Sequence, residues 1–310
     1  MLDTLRLAIV GYGKIARDQH HPAIDNDAGY QLTAVASRNA SVADVANFES
    51  LEALLDQGPE IDAVSLCTPA GVRTAQARLA MAHGKHVMLE KPPAATLAEI
   101  EILREDAERH GVTLFASWHS RHAHGVAGAK RWLSERRIHR VDIEWKEDVR
   151  VWHPGQAWIW QPGGMGVFDP GINALSIATA ILPRPFHLVD AQLQVPGNCQ
   201  TPIAASLDFV DGENVPIHAE FDFRQQGTPP TWEIHVDTDA GRLTLEAGGR
   251  RLLIDGELLE EGPDAEYAGL YERFAALIAE GRSDVDISPF RHVADALMLG
   301  YRHTVEDFVE

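Results

Sequence analysis

The sequence predicts an α/β protein, with a doubly wound parallel sheet in its first half and a β-rich domain with added helices in its second. Three observations carry this. Short apolar strands alternate with helical stretches from Leu5 to Ala116, and the first strand runs straight into a Gly-x-Gly-x-x-Ala turn at residues 11–16. From Ile138 onward, long β-favouring segments follow one another.

The first strand, Leu5 to Val10, leads into Gly11-Tyr12-Gly13-Lys14-Ile15-Ala16. Gly11 permits a tight turn, Gly13 lets the backbone approach a pyrophosphate, and Ala16 allows the next helix to pack close to the sheet. The helix amino terminus then offers free N–H groups to phosphates, with Lys14 and Ile15 at its entrance. A second strand, Gln31 to Ala36, stands about twenty residues on, which is the context a dinucleotide site requires. It ends in Ser37-Arg38. An NAD site usually carries an acid there for the ribose 2′-OH. A hydroxyl and a guanidinium instead suit a 2′-phosphate, so NADP is the expected cofactor and NAD the second choice. The plainer alternative makes Arg38 a surface residue at a strand end.

The alternation continues. A short helix is expected over Ser50 to Asp56, a buried strand over Ala63 to Cys67 ending at Thr68-Pro69, and a helix over Val72 to His83. The next strand, Lys85 to Leu89, breaks off at Glu90-Lys91-Pro92-Pro93. Pro92 cannot donate to a ladder, so pairing should stop there and present Lys91 at the strand's carboxyl end, the edge where ligands bind in open α/β sheets. A helix over Leu97 to His110 and a strand over Thr113 to Ala116 complete the pattern. Cys67, Thr68, Pro69, Glu90 and Lys91 thus share the edge of the glycine turn and join the expected cofactor-binding set. As a bare tripeptide, Glu90-Lys91-Pro92 also reads as a solvated turn.

With 310 residues, 45% of them hydrophobic, the chain can build two domains with separate cores. They are expected at residues 1–120 and 121–310, and the C-terminal helix is a candidate to pack back on the first. Lys and Arg number 27 against 46 Asp and Glu, a formal charge of −19 that disfavours nucleic acid and anionic membranes as partners. Two cysteines, Cys67 and Cys199, are too few for a disulfide framework or a thiolate metal site. No apolar run approaches the roughly 20 residues of a membrane span, and a strand so near the start leaves no room for a signal peptide. A cytoplasmic location is expected.

In the second half, β-favouring segments run over Ile138 to Trp152, Leu188 to Val195, Ala204 to Val210, Ile217 to Phe223 and Trp232 to Thr238. Shorter ones lie around Leu243 and Leu252. Val141, Ile143 and Trp145 alternate with Asp142, Glu144 and Lys146, so the two faces of that strand meet different surroundings. Helices are expected over Asn173 to Ile181, Glu266 to Glu280 and Pro289 to His303.

The strings Gly11 to Ala16, Cys67-Thr68-Pro69, Gly84-Lys85-His86-Val87 and Glu90-Lys91-Pro92, in this order, resemble the glucose–fructose oxidoreductase and inositol dehydrogenase superfamily. The resemblance covers the whole chain. Trp118-His119-Ser120-Arg121, Trp145 to Arg150, Trp152-His153-Pro154-Gly155 and Phe168-Asp169-Pro170-Gly171-Ile172-Asn173 look like the bacterial aldose 1-dehydrogenases acting on L-arabinose and D-galactose. That resemblance implies an N-terminal Rossmann domain and a C-terminal α+β domain whose large, open, mainly antiparallel sheet pairs subunits into a homo-oligomer, a dimer. It also implies oxidation of a pyranose C1 hydroxyl to the lactone, with hydride transfer to NADP+ or NAD+.

Such a reaction needs a base beside C1. Lys91 and Asp169 are the candidates, and the sequence leaves the choice between them open. The wider superfamily carries Asp-x-Gly-x-His, but here Asn173 stands at the histidine position. Asparagine cannot take the proton, and it is expected to orient a sugar hydroxyl instead. Asp169 and Asn173 are four apart, on one face if helical; alternatively, Asp169 only caps the helix that follows. Trp152, His153, His119, Glu147 and Trp232 offer the flat apolar walls and polar partners a sugar needs. No metal is expected, because His119, His153 and Glu147 lack a local zinc-binding motif. A non-catalytic nucleotide- and sugar-binding sensor on the same fold is the alternative function.

Overall fold

The computed structural model describes residues 4–310, which form two compact units. The first holds the described residues up to His119 together with Tyr267–Ile287; the second holds Ser120–Glu266 and Ser288–Glu310. In the first unit, β1 (Leu5–Val10), β2 (Tyr30–Ala36), β3 (Ala46–Phe48), β4 (Ala63–Leu66), β5 (His86–Leu89) and β6 (Leu114–Ala116) form a six-stranded sheet in the order β3-β2-β1-β4-β5-β6. Every pairing is parallel. Strand order reverses between β1 and β4, which makes the carboxyl ends of those two strands the ligand edge. The helices are α1 (His21–Asp25), entered through a π-helical turn over Ala16–His20, then α2 (Leu51–Gln57), α3 (Ala70–Ala82) and α4 (Leu97–His110). Local chemistry sets their limits. Ser50 caps α2, Thr96 and Glu99 form a capping box on α4, and Gly111 ends α4 with φ +64°.

The second unit contains α5 (Val126–Leu133), β7 (Ile138–Lys146), α6 (Val149–Trp152), α7 (Phe168–Ile181), β8 (Phe186–Pro196), β9 (Ala204–Asp211), β10 (Pro216–Asp222), β11 (Thr231–Thr238), β12 (Gly241–Glu246), β13 (Arg251–Ile254) and β14 (Glu257–Glu261). After α8 (Glu266–Glu280), whose body belongs to the first unit, it resumes with α9 (Ser288–Leu299) and β15 (Tyr301–Val305). Its nine-stranded sheet has the order β14-β13-β12-β11-β7-β10-β9-β8-β15 and is antiparallel except where β10 meets β7 and β15 meets β8. One face carries α7, whose side chains from Phe168 to Ile172 are all buried.

Three elements differ from expectation. The β segment foreseen to Trp152 stops at Lys146, because the Asp148 carboxylate accepts the Arg150 N–H at 3.0 Å and starts the short helix α6. The helix foreseen from Asn173 begins at Phe168, so Asp169 lies inside its first turn and is not its cap. The helix foreseen to His303 ends at Leu299; beyond Gly300, the β-favouring run Tyr301–Val305 pairs with β8. β3 and β14, three and five residues long, were not foreseen as strands.

The segment that returns to the first unit is Tyr267–Ile287, one helix before the last. Tyr267, Leu270, Tyr271, Phe274 and Leu277 recur at helical spacing and pack against Leu7, Ile9, Val35, Met88 and Phe115 of the parallel sheet. The chain beyond α8 then runs along β6. Ala116 N–H donates to the Asp284 carbonyl at 3.0 Å, and Trp118 Nε1 to the Asp286 carbonyl at 2.9 Å.

Candidate active site

At the ligand edge of the first unit, Gly11 leaves β1 with φ +86°, and its N–H donates to the Ala36 carbonyl at 2.8 Å. A Cβ there would stand 2.7 Å from Thr68 Cγ2 and 2.9 Å from the Thr68 nitrogen, so no larger residue fits. Gly13 faces open space, where an added Cβ would meet nothing. Lys14 and Ile15 are exposed at the same turn, Lys14 pairing with Asp18 at 2.9 Å. Ser37 and Arg38 follow directly after β2, Ser37 half-buried and Arg38 exposed. Cys67 N–H donates to the Val10 carbonyl at 2.8 Å, which sets Cys67-Thr68-Pro69 beside the glycine turn. The nine expected residues from Gly11 to Pro69 therefore line one strand-end edge, and a glycine cradle at a switch point fits a dinucleotide.

Glu90 and Lys91 end β5 on the same edge, and the Lys91–Pro92 peptide is cis. Glu90 is 4% exposed, yet it is held ionised. Burial opposes its charge, but the hydrogen bond and charge of His20, with the charges of His119 and Lys91, outweigh burial and bring its pKa down to about 2. For His20, burial again opposes the charged form; the neighbouring Cys67 and Tyr271 and the Glu90 carboxylate overturn it and raise the pKa well above the ordinary value. His119, in the same unit, stacks on Tyr267 with centroids 5.2 Å apart. Sequence reasoning missed His20, Arg73, Tyr267 and Tyr271, all buried here.

The second unit gathers the remaining candidates on one side of its sheet. Val141, Ile143, Trp145 and Glu147 alternate onto the buried face, so the strand's inward phase runs on to a carboxylate that is 4% exposed. Opposite β7, register pairs Trp232 with Trp145, and the Trp232 indole N–H donates to Glu147 Oε2 at 2.9 Å. Trp152 lies against Trp232 with centroids 5.2 Å apart. His153 Nε2 stands between two carboxylates, 3.4 Å from Asp169 Oδ2 and 4.0 Å from Glu147 Oε1. Asp169 enters at the start of α7 because Gly166, at φ +55°, turns the chain where a Cβ would strike the Pro202 carbonyl. Asn173 follows one turn later on the same helix. Glu147, Trp152, His153, Asp169 and Asn173 thus form one cluster, joined by Trp232, while Lys91 and His119 belong to the first unit.

Residues 5–117 match the family model described as an oxidoreductase family with an NAD-binding Rossmann fold, Gfo/Idh/MocA. Over 311 aligned residues, the chain is 47% identical to galactose 1-dehydrogenase of Pseudomonas fluorescens, with 100% of each covered. The chain belongs to the Gfo/Idh/MocA oxidoreductase family. A crystal structure of D-galactose-1-dehydrogenase from Rhizobium etli superposes with a TM-score of 0.95 at 53% identity, covering 100% of this chain and 99% of that one. An NADP complex of a 3-ketoreductase from Actinomadura kijaniata gives a TM-score of 0.83 at 18% identity, over 98% of this chain and 100% of that one, and shares the fold alone. As in the sequence, this Gfo/Idh/MocA member holds Asn173 four residues after Asp169. Among the described residues no helix is long and apolar enough to cross a membrane.

Proposed function

We propose that this chain is an aldose 1-dehydrogenase that oxidises the C1 hydroxyl of D-galactose or L-arabinose to the lactone, with NADP preferred and NAD accepted. The observation that carries this reading is His153 set between Glu147 and Asp169 beside two indoles, in a chain 47% identical along its length to a galactose 1-dehydrogenase. Carboxylates accept from sugar hydroxyls, His153 and Asn173 can donate to them, and the indole faces of Trp152 and Trp232 suit the apolar face of a pyranose. In this reading the first unit is the nucleotide domain and the second the substrate domain.

When bound, the nicotinamide supplies the hydride acceptor. Gly11, Gly13, Lys14 and Ile15 hold the pyrophosphate, and Ser37 with Arg38 hold the 2′-phosphate. Cys67, Thr68, Pro69 and Glu90 complete the cofactor edge. Oxidation also releases the C1 hydroxyl proton, and we assign it to Lys91 and Asp169. His153 steadies Asp169 from 3.4 Å, and His119 contributes a further polar contact to the sugar. The reaction belongs in the cytoplasm with its cofactor pool. We assign the open nine-stranded sheet to pairing of two copies, which light scattering of the purified protein tests by mass.

The decisive experiment mixes the protein with NADP+ or NAD+ and a panel of aldoses, and follows the reduced nicotinamide absorbance. D-galactose or L-arabinose should give turnover, faster with NADP+. Binding of nucleotide and sugar without reduction by any aldose would make the protein a sensor instead.

A further inference from the structure

Beneath Lys91 lies a buried polar network that the proposed chemistry does not consume. Arg73, from α3, donates to the carbonyl oxygens of Thr68, Glu90 and Pro92, so the residues on both sides of Lys91 are tied to one guanidinium. Glu90 Oε2 accepts the Lys91 backbone N–H at 2.6 Å. Glu90 Oε1 accepts the Tyr267 hydroxyl at 2.8 Å and stands 3.2 Å from His20 Nε2. His20 Nδ1 lies 2.8 Å from Tyr271 Oη, which lies 2.9 Å from Ser65 Oγ. His20, Ser65 and Tyr271 are 0% exposed.

A buried hydrogen-bonded chain can either move protons or fix geometry. This one runs inward from Glu90 and ends at Ser65, whose hydroxyl points to Met88 Sδ at 3.9 Å. Ser65 and Met88 are both 0% exposed, so this branch of the network leads a proton to no water-accessible group among the described residues, while the half-buried Cys67 thiol stands beside His20 off the chain. What it does instead is satisfy both oxygens of Glu90. Desolvated polar groups hold one arrangement firmly when every member is paired. Aromatic packing adds to this, with the His20 and Tyr267 rings edge to face at 4.8 Å.

We propose that His20 and Tyr267 are positioning residues for Lys91: they fix the Glu90 carboxylate, which holds the Lys91 peptide and so sets the direction from which the Lys91 side chain acts. The inference rests on the role assigned to Lys91 above. Both residues reach Glu90 from distant parts of the chain, one beside the glycine turn and one at the start of α8.

The test uses the intact protein with Tyr267→Phe, His20→Gln, His20→Leu, Lys91→Ala and the double variant Tyr267→Phe/Lys91→Ala. Tyr267→Phe removes one oxygen and keeps the ring. It should lower kcat about ten- to hundredfold, the cost of slightly misplacing a reacting group, while the sugar KM and the NADP+ dissociation constant stay within about threefold. His20→Gln, which keeps a donor toward Glu90, should retain most of the turnover that His20→Leu loses. The double variant should be no slower than Lys91→Ala alone, because both changes remove one function. Losses that multiply in the double variant, or a sugar KM that rises and an NADP+ affinity that falls together with kcat, would overturn the positioning role. Normal turnover in Lys91→Ala would overturn the assignment of Lys91, and the inference with it. Should His20→Leu fail to fold, the comparison of Tyr267→Phe with its double variant still decides.

Discussion

Replacing Trp232 by Phe isolates one hydrogen bond of the cluster proposed to hold the sugar. The indole N–H donates to Glu147 Oε2 at 2.9 Å, and Glu147 is 4% exposed, so the carboxylate loses a donor it cannot fully replace with water. Phe keeps an aromatic ring between Trp152, at 5.2 Å, and Trp145, at 6.1 Å, so the wall survives in part. A hydrogen bond to a charged group contributes about 1.5 to 3 kcal/mol. Trp232 is itself half-buried, and water entering beside Phe brings the expected cost toward the lower figure, about tenfold in equilibrium terms. Because Glu147 is assigned to sugar hydroxyls, the loss should appear in kcat/KM for D-galactose. Binary NADP+ affinity, measured by calorimetry, should not move. An unchanged kcat/KM, or an equal loss of NADP+ affinity, would refute the assignment of Glu147.

Other outcomes follow from the same geometry. Arg38→Ala should reduce NADP+ efficiency about ten- to hundredfold and leave NAD+ nearly untouched in paired initial-rate assays; equal losses would give Arg38 to the adenine or the fold. Lys91→Arg should not restore the turnover lost in Lys91→Ala, since a guanidinium does not release its proton near neutral pH; near-normal rates would reduce Lys91 to a fixed charge. Glu90 titrates at about 2 in the folded chain against 4.5 ordinarily, so its contribution is fully present above pH 4.5 and is lost as pH falls from there toward 2. The amount is at most about 3 kcal/mol, and urea unfolding of wild type against Glu90→Gln should converge across that window. His20 has the opposite sign: its raised pKa stabilises the fold below 6.5, and the contribution is lost as pH rises through the folded value.

Five of the six strands of the parallel sheet were legible because each is a short apolar run closed by a turn signal, β3 with its central Asn47 being the exception, and capping residues such as Ser50, Thr96 and Gly111 mark the helix limits within a residue or two. The candidate residues proposed for the site, from Gly11 to Lys91 and from Glu147 to Asn173, stand in local strings that a sequence reading can single out. Elements set by competition were not legible. Asp148 turns a β-favouring run into α6, and the pairing of Tyr301–Val305 with β8 is decided by a strand more than a hundred residues away. His20, Arg73, Tyr267 and Tyr271 belong to no motif. Their one signal is two tyrosines on the otherwise aliphatic and aromatic face of α8, where hydroxyls need buried partners that only the folded chain supplies.

Helix α8 also sets an order of events during synthesis. Its apolar face covers Leu7, Ile9, Val35, Met88 and Phe115, yet residues 120–266 are translated before it. At about 5 to 20 residues per second, that interval lasts roughly 7 to 30 s, during which one side of the parallel sheet lacks its cover. The first unit cannot reach its final core as an autonomous amino-terminal domain. A fragment ending at His119 should accordingly remain aggregation-prone, and nucleotide binding should appear only once the chain has passed Ile287.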